Sequence, residues 1–310
     1  MSSYDQLWVE KWRPKTLDDL VLTEENRKFF STINEDTPHL LLYGNSGTGK
    51  TTLAKIIVND ILKCQHLYIN ASDENGVDTI RNKVTSFAQT SSLDGKKKVI
   101  ILDEFCGTSS DAQRILRSVM EEYSSNTRFI LTANYINRII EPIQSRCLMF
   151  NIIPDNFEAT KRCCKILKDE NVKFTDPELG MLYKHIETNL PDLRRIINDL
   201  QKFSIKGVLN ITDDNKSIQT VQKIYSDLLT KIDSIKIRKF VIENEKTFNS
   251  DYQLLLKNLL EMFYENQKLD EMKKKRILIE IGEYVYRDNF VTDHEINFFC
   301  CIMAIENALS

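Results

Sequence analysis

Apolar residues follow two different patterns along the chain. In the first half they form short continuous runs at residues 39–43, 99–102, 128–131 and 148–150. Runs of this length and composition predict strands, and the run 99–102 predicts one that is buried on both faces of a parallel sheet. After residue 151 the apolar positions recur at intervals of three and four residues, which predicts helices. The expected fold class is therefore an α/β parallel-sheet domain followed by all-α domains.

The helical region is expected to form two parts. Thr175 and Glu178 have the spacing of a helix capping box, and Pro191 with Asp192 opens a further helix, which predicts a small helical domain. The polar stretch 207–217 is typical of a linker. The apolar positions after it exceed what an isolated amphipathic helix would show, which predicts an oligomerising helical domain. The predicted domain boundaries are 1–151, 152–208 and 209–310.

The net charge, the lengths of the apolar runs and the spacing of the cysteines exclude several classes of protein. The 310 residues contain 42 Lys and Arg against 45 Asp and Glu, a net charge of −3, so any nucleic-acid contact must come from a local patch. No apolar run approaches the roughly 20 residues that cross a bilayer, and the amino terminus lacks a signal-peptide core. The seven cysteines contain no C-x-x-C pair. We expect a cytoplasmic protein in a reducing compartment, with neither a membrane partner nor zinc.

Glycines cluster at one place, directly after the first predicted strand. The pattern G-x-x-x-x-G-K-[ST] begins at residue 44 and is typical of a phosphate-binding loop that leads into a helix. The backbone amides of such a loop surround phosphates, Lys50 would neutralise the β- and γ-phosphates, and the Thr51 hydroxyl would ligate Mg²⁺. An ordinary strand-to-helix turn is the alternative interpretation. The candidate ATP-binding residues here are Gly44, Asn45, Ser46, Gly47, Thr48, Gly49, Lys50, Thr51 and Thr52.

A second candidate feature is the carboxylate pair that ends the predicted strand 99–102. In a nucleotide site Asp103 would hold Mg²⁺, and Glu104 would orient and deprotonate the water that attacks the γ-phosphate. Two solvated carboxylates at the start of a loop are the alternative. Together with the phosphate-binding loop, the pair implies Mg²⁺-dependent ATP hydrolysis.

Five further segments occur in the order seen in sliding-clamp loaders. They are the segments 8–14, 72–78, 132–135, 145–147 and 191–195. The chain therefore resembles an ATPase subunit of the AAA+ sliding-clamp loaders. Short sequence segments, such as 103–105 and 206–209, are most similar to the large clamp-loader subunit of T-even-like phages. Replication factor C small subunits are the next most similar. The resemblance implies an AAA+ P-loop domain, a helical lid and a helical collar.

The resemblance also implies roles for single residues around the γ-phosphate. Asn134, which follows the predicted strand 128–131, corresponds to the water-positioning residue called sensor 1. Arg146 corresponds to the arginine finger that reaches ATP held by a neighbouring subunit, and Arg194 to the lid residue called sensor 2, with Arg195 as its rival. A turn-forming asparagine and a surface arginine are the alternatives. The family's adenine-binding edge corresponds to Val9, Glu10, Lys11, Trp12, Arg13 and Val21. The alternative is core packing, because an aromatic residue and a valine are more often part of a core.

Contacts with DNA rest on fewer signals. By resemblance, Arg81 and Arg138 match positions that grip the phosphates of the template strand, and Asn75 stands where many relatives have arginine. Gln113, on the helix predicted from residue 111 to 123, is a candidate for coupling DNA binding to the ATP site. Solvated helix faces and ordinary helix packing are the alternatives.

The function implied by the resemblance is an ATP-driven switch. ATP would favour an open five-membered ring, made with other copies and a distinct small subunit, that opens a sliding clamp and binds primer–template DNA. Hydrolysis would release the closed clamp on DNA. The alternatives are another AAA+ DNA-remodelling ATPase, such as a helicase loader or branch-migration motor, and a catalytically silent scaffold subunit.

Overall fold

The computed structural model divides the chain into two compact units, Met1–Ile211 and Thr212–Ser310. The residues it describes are 7–73, 77–90, 92, 95–205, 207–211, 215–248 and 250–309. None of the helices in this part of the chain is long and apolar enough to span a membrane.

The first unit contains a sheet of five parallel strands in the order β2-β3-β4-β1-β5. The strands are β1 (His39–Tyr43), β2 (His66–Asn70), β3 (Lys98–Asp103), β4 (Thr127–Ala133) and β5 (Cys147–Asn151). The predicted fold class is confirmed, and four strands lie where the apolar runs predict them. The unpredicted strand is β2, whose mixed sequence fits its position at the edge of the sheet, where burial is incomplete.

Fourteen α-helices complete the part of the chain that the structure describes. In the first unit they are α1 (Trp8–Lys11), α2 (Glu24–Ser31), α3 (Lys50–Ile56), α4 (Thr85–Gln89), α5 (Ser110–Glu122), α6 (Glu141–Gln144), α7 (Asn156–Asp169), α8 (Asp176–Asn189) and α9 (Leu193–Phe203). In the second they are α10 (Asn215–Leu229), α11 (Ser234–Glu243), α12 (Tyr252–Glu265), α13 (Glu271–Arg287) and α14 (His294–Leu309).

Both faces of the sheet are covered. Leu41 on β1 belongs to one apolar core, which includes Leu116 of α5, while its neighbours Leu40 and Leu42 belong to a second core on the opposite face with Leu53 of α3. Alternation of side chains along the strand explains why both neighbours of Leu41 are buried. The candidate site lies at the carboxyl ends of the strands, where β3 ends in Asp103.

The helices α7, α8 and α9 form a separate core with the amino-terminal segment. Trp8 and Val21 are buried in this core. The capping box predicted at Thr175 is present, since the Thr175 amide donates to the Glu178 carboxylate over 2.6 Å. Leu209 is fully buried in the same core, so the first part of the polar stretch 207–217 packs against this core.

The second unit has its own apolar core, formed by residues of α10 to α14. Leu255, Leu259 and Phe263 of α12 are fully buried in it, as the helical spacing of the apolar positions predicts. The division of the chain into three domains, with boundaries at 151 and 208, stays a prediction.

Acid is expected to weaken the first unit through His39. This histidine is 8% exposed, and its Nδ1 accepts a hydrogen bond from the Phe129 amide at 3.1 Å, which requires an unprotonated nitrogen. Burial, and then the positive charge of Arg128, lower the pKa of His39 to about 4. Because the unfolded chain binds the proton near pH 6.5, stability is complete above that pH and falls as the pH approaches 4.

The size of this effect can be measured by urea unfolding. Between pH 8 and pH 5 the His39 contribution should fall by about 2 kcal/mol, from the difference between the two pKa values. The difference in unfolding free energy between the wild type and His39→Gln should change by that amount over the same pH range. A difference that does not depend on pH would contradict the prediction.

Candidate functional site

The loop between β1 and α3 has the conformation that a phosphate-binding loop requires. Gly44, Gly47 and Gly49 have φ angles of 139°, 81° and 94°, a region that other residues rarely adopt. Lys50 opens α3 and its Nζ donates to the carbonyl oxygens of Gly44 and Asn45 at 2.8 Å and 2.6 Å. Burial lowers the pKa of Lys50, and the charge of Asp103 opposes this shift.

This loop forms one wall of a cleft in the first unit. The remaining walls come from the amino-terminal segment, the carboxyl ends of strands and helices α7 and α9. The predicted site residues that line the cleft are Val9, Trp12, Arg13, Val21, Ser46, Gly47, Thr48, Gly49, Lys50, Thr51, Thr52, Asp103, Glu104, Asn134 and Arg194.

Three hydroxyl groups converge on the buried carboxylate of Asp103. Thr51 Oγ1 donates to Asp103 at 2.7 Å, Thr132 Oγ1 of β4 donates at 2.6 Å, and the Tyr68 hydroxyl of β2 donates at 2.8 Å. A carboxylate beside a threonine hydroxyl supplies hard oxygen donors of the kind that Mg²⁺ prefers. The donor set therefore fits Mg²⁺, with Thr51 and Asp103 as the residues that would hold it.

Glu104 lies at the mouth of the cleft in a left-handed backbone conformation, with φ 53° and ψ 37°. Its amide donates to Thr132 Oγ1 at 2.9 Å, which anchors the residue to β4. Its carboxylate accepts a hydrogen bond from Ser72 Oγ at 2.6 Å. This hydrogen bond engages one carboxylate oxygen, Oε2, so the carboxylate keeps acceptor capacity for a water molecule.

The amino-terminal segment divides into residues that face the cleft and residues that do not. Trp12 lines the cleft while its ring nitrogen donates to Glu170 at 2.6 Å. Lys11 pairs with the same carboxylate at 2.6 Å, and Glu10 pairs with Arg13 at 2.8 Å. Neither Glu10 nor Lys11 is among the described residues that line the cleft.

The two arginines of α9 point to different surroundings. Arg194 lines the cleft, and its charge contributes to lowering the pKa of Lys50. The Arg195 side chain approaches Asp199, one turn later on α9, at 3.9 Å. Of these two arginines, Arg194 is therefore the one positioned to contact a ligand in the cleft.

Arg146 lies outside the cleft, in the loop between α6 and β5. Its guanidinium donates to the Glu121 carboxylate of α5 and, over 2.6 Å, to the carbonyl oxygen of Pro142. The side chain remains 34% exposed, and Arg117 Nε lies 3.9 Å from the same Glu121 oxygen. Within its own subunit, Arg146 is thus held at the surface and apart from the nucleotide cleft.

The candidate DNA contacts and the candidate coupling residue lie on adjoining elements. Arg81 and Arg138 are both exposed. Gln113 is 2% exposed, and its amide joins α5 to the segment that carries Arg138: Nε2 donates to the Arg138 carbonyl at 2.9 Å, and Oε1 accepts from the Ile140 amide at 2.9 Å. Asn75 lies outside the described residues.

Sequence reasoning missed two side chains that touch Asp103. Tyr68 lies on the strand that the apolar pattern does not predict, and Thr132 is a polar residue inside a buried strand. The pairing of the strands would have indicated Thr132. Leu131 pairs with Leu102, so the next residues, Thr132 and Asp103, lie side by side. Arg162, which also lines the cleft and pairs with Asp19 at 2.9 Å, gave no comparable signal.

Nucleotide affinity should depend on the absence of a side chain at residue 47. A Cβ at Gly47 would lie 2.1 Å from Asp192 Oδ1, and the φ of 81° adds backbone strain. We expect Gly47→Ala to weaken nucleotide binding by about tenfold or more, as measured with a fluorescent ADP. The matched control is Gly95→Ala, which has a φ of 74° and no atom within 4 Å of the added Cβ. Equal affinities for the two variants would contradict the prediction.

Comparisons with known proteins agree with the geometry of the cleft. Residues 40–155 match the profile of the family described as ATPase family associated with various cellular activities (AAA). The replication factor C small subunit of Natronomonas pharaonis is 38% identical over 225 residues, covering 70% of this chain and 67% of the relative. The chain belongs to the replication factor C small-subunit family. The expected relation to this family is confirmed, while the greater similarity to the phage subunit stays a prediction.

Other relatives define how far the match extends. The replication factor C small subunit of Saccharolobus solfataricus is 43% identical over 215 residues, which cover 66% of this chain. The match spans 64% of that relative, which is just under two thirds of its length. Among solved structures, the Thermotoga maritima RuvB Holliday junction branch migration motor aligns with 88% of this chain and 80% of its own, with a TM-score of 0.53 and 20% identity. At that identity the likeness to RuvB shows the fold alone.

Proposed function

We propose that this replication factor C family member is an ATP-hydrolysing subunit of a DNA sliding-clamp loader. The observation that carries the proposal is the meeting of the phosphate-binding loop, Asp103, Glu104 and Arg194 in one cleft. Family membership supports nucleotide as the ligand of this cleft.

Different residues of the cleft bind the phosphates, would hold the metal ion and activate the attacking water. The loop amides and Lys50 bind the phosphates, and Trp12 and Val21 lie where the base and ribose would be enclosed. Thr51 and Asp103 would hold Mg²⁺, which would supply positive charge beside the phosphates. Glu104 takes the proton of the attacking water, which Asn134 orients.

Two arginines make hydrolysis depend on conformation and assembly. Arg194 on α9 connects closure of the helical lid to the γ-phosphate. Arg146 is supplied to the nucleotide of a neighbouring subunit, because it is exposed and lies outside its own cleft. A guanidinium that arrives only in the assembled ring stabilises the transition state only there.

The second unit supports assembly into a ring. Met272, Ile279 and Tyr286 recur every seven residues along α13 and are 64%, 69% and 66% exposed. A groove beside them is lined by residues of α13 and α14, including Ile279 and Ala304. Large apolar side chains exposed along one helix are typical of a surface that packs against another chain. The proposed partners here are other copies and a distinct small subunit in an open five-membered ring.

Primer–template DNA and the sliding clamp are the proposed macromolecular partners. Arg81 and Arg138 would contact phosphates, so binding would show no sequence preference. Gln113 would transmit DNA binding to the ATP site, because its buried amide holds the backbone at Arg138 and Ile140.

Steady-state ATP hydrolysis tests the proposal. The full chain, co-purified with its small partner, should hydrolyse ATP faster when primer–template DNA and the cognate clamp are added together. Turnover that does not respond to the clamp would point instead to another AAA+ DNA-remodelling ATPase. Absence of turnover would favour a silent scaffold, an alternative that the intact set of Lys50, Thr51, Asp103 and Glu104 argues against.

A further inference from the structure

The hydrogen bonds around Asp103 exceed what the proposed Mg²⁺ site needs. Besides Thr51, the carboxylate accepts from Thr132 on one side and from Tyr68 on the other. Asp103 itself is 5% exposed. Two neighbouring strands, β4 and β2, therefore supply hydroxyls that are additional to the residues assigned to the metal.

These two hydroxyls hold different oxygens of the carboxylate. Thr132 Oγ1 donates to Oδ1 at 2.6 Å, and the Tyr68 hydroxyl donates to Oδ2 at 2.8 Å, whereas Thr51 Oγ1 lies 2.7 Å and 3.0 Å from the two. With one anchor on each oxygen, the carboxylate plane is fixed against rotation about its Cβ–Cγ bond. Each oxygen keeps further lone pairs, so these hydrogen bonds leave acceptor capacity for a cation.

The Tyr68 ring is itself held in place. Lys55 of α3 lies over the ring, with its Nζ 4.3 Å from the centroid. Tyr68 and Lys55 both line the nucleotide cleft, and 38% of Tyr68 is exposed. Burial, and then the hydrogen bond to Asp103, raise the pKa of Tyr68 above its ordinary value. A phenol ordinarily titrates near pH 10, so at neutral pH this hydroxyl is protonated and donates the hydrogen bond to Asp103.

We infer that Tyr68 is a positioning residue for the metal end of the nucleotide site: its hydroxyl orients the Asp103 carboxylate so that Mg²⁺ and nucleotide bind together. This inference rests on the proposed function of the cleft. Outer partners of metal-binding carboxylates orient the ligand, and losing one costs about 10- to 100-fold in metal affinity. Nucleotide binding without Mg²⁺ does not use this contact.

The test compares nucleotide binding at different Mg²⁺ concentrations. Tyr68→Phe removes the hydroxyl and keeps the ring that contacts Lys55. The matched control is Tyr123→Phe, which removes an exposed hydroxyl that accepts a hydrogen bond from Gln89 in the same unit. Binding of a fluorescent ADP to the full chain is titrated with Mg²⁺, and thermal unfolding is followed for each variant.

The inference predicts a change in the Mg²⁺ requirement alone. For Tyr68→Phe, the Mg²⁺ concentration that gives half the maximal enhancement of ADP binding should rise about tenfold. Binding in EDTA and the melting temperature should match those of Tyr123→Phe, and excess Mg²⁺ should restore both ADP affinity and ATP turnover.

Two results would overturn the inference, and they differ in what they imply for the site. An unchanged Mg²⁺ midpoint, or a loss of binding that excess Mg²⁺ does not restore, would reject the positioning role and leave the proposed function standing. A wild-type chain that binds no nucleotide at any Mg²⁺ concentration would overturn the proposed function together with the inference.

Discussion

Glu104→Gln is expected to reduce ATP hydrolysis by about 100- to 10,000-fold while ATP binding is retained. The amide has the shape of the carboxylate and can still accept a hydrogen bond from Ser72, which lies 2.6 Å away. It cannot take a proton from water. Turnover of the assembled complex and equilibrium binding of a fluorescent ATP analogue measure the two properties separately.

The control for this substitution is Glu122→Gln, which neutralises an exposed carboxylate on α5 of the same unit. It should leave turnover within about twofold of the wild type, because exposed substitutions away from a site change little. Near-normal turnover in Glu104→Gln would reject Glu104 as the base. It would also favour the alternative that this chain is a catalytically silent scaffold, because turnover of the complex would not depend on its Glu104.

Arg146→Ala should reduce assembly-dependent hydrolysis by about 1,000-fold or more, the range observed for arginine fingers. In the free subunit the guanidinium is held by Glu121 and the Pro142 carbonyl, outside its own cleft. ATP binding to the isolated chain should therefore be unchanged. Turnover with DNA and clamp, together with analogue binding, makes the measurement.

A mixing experiment shows whether the arginine acts on a neighbouring subunit. Glu104→Gln retains its finger, and Arg146→Ala retains its base, so a ring that contains both has some interfaces with one intact residue from each chain. Co-assembly of the two inactive variants should restore part of the turnover. Failure to restore any, or equal activity of an isolated subunit and the complex, would contradict a finger supplied in trans.

Four strands of the first unit could be predicted because each leaves a short continuous apolar run in the sequence. The strand β3 is buried along its whole length and was predicted; β2, at the sheet edge with Tyr68 partly exposed, was not. Edge position alone does not explain the difference, because β5 lies at the other edge and was predicted from its apolar run. The polar residues that interrupt β2 remove that run. The missed strand then concealed the Tyr68 contact with Asp103.

Site residues could be predicted where one motif contains all the partners. The phosphate-binding loop and the Asp103–Glu104 pair each occupy consecutive positions, and both line the cleft. The choice between Arg194 and Arg195 could not be made from sequence, because adjacent helix residues differ by rotation alone. In the structure the first lines the cleft and the second approaches Asp199.

The amino-terminal edge shows the same limit. Six residues were expected to bind adenine, but Glu10 pairs with Arg13, and Lys11 pairs with Glu170 of the lid region. A motif indicates a segment, while side-chain direction depends on partners far away in sequence. Those two residues therefore support the cleft wall, and their direct role in binding stays a prediction.

Clamp loading on DNA tests the central claim most directly. The complex of this chain with its small partner is mixed with labelled clamp, primer–template DNA blocked at its ends, and ATP, and the clamp that remains on DNA after the loader is removed is counted. The account predicts retained clamp with ATP, and none without nucleotide or with Glu104→Gln. ATP-dependent movement on DNA with no clamp retained under any condition would contradict it.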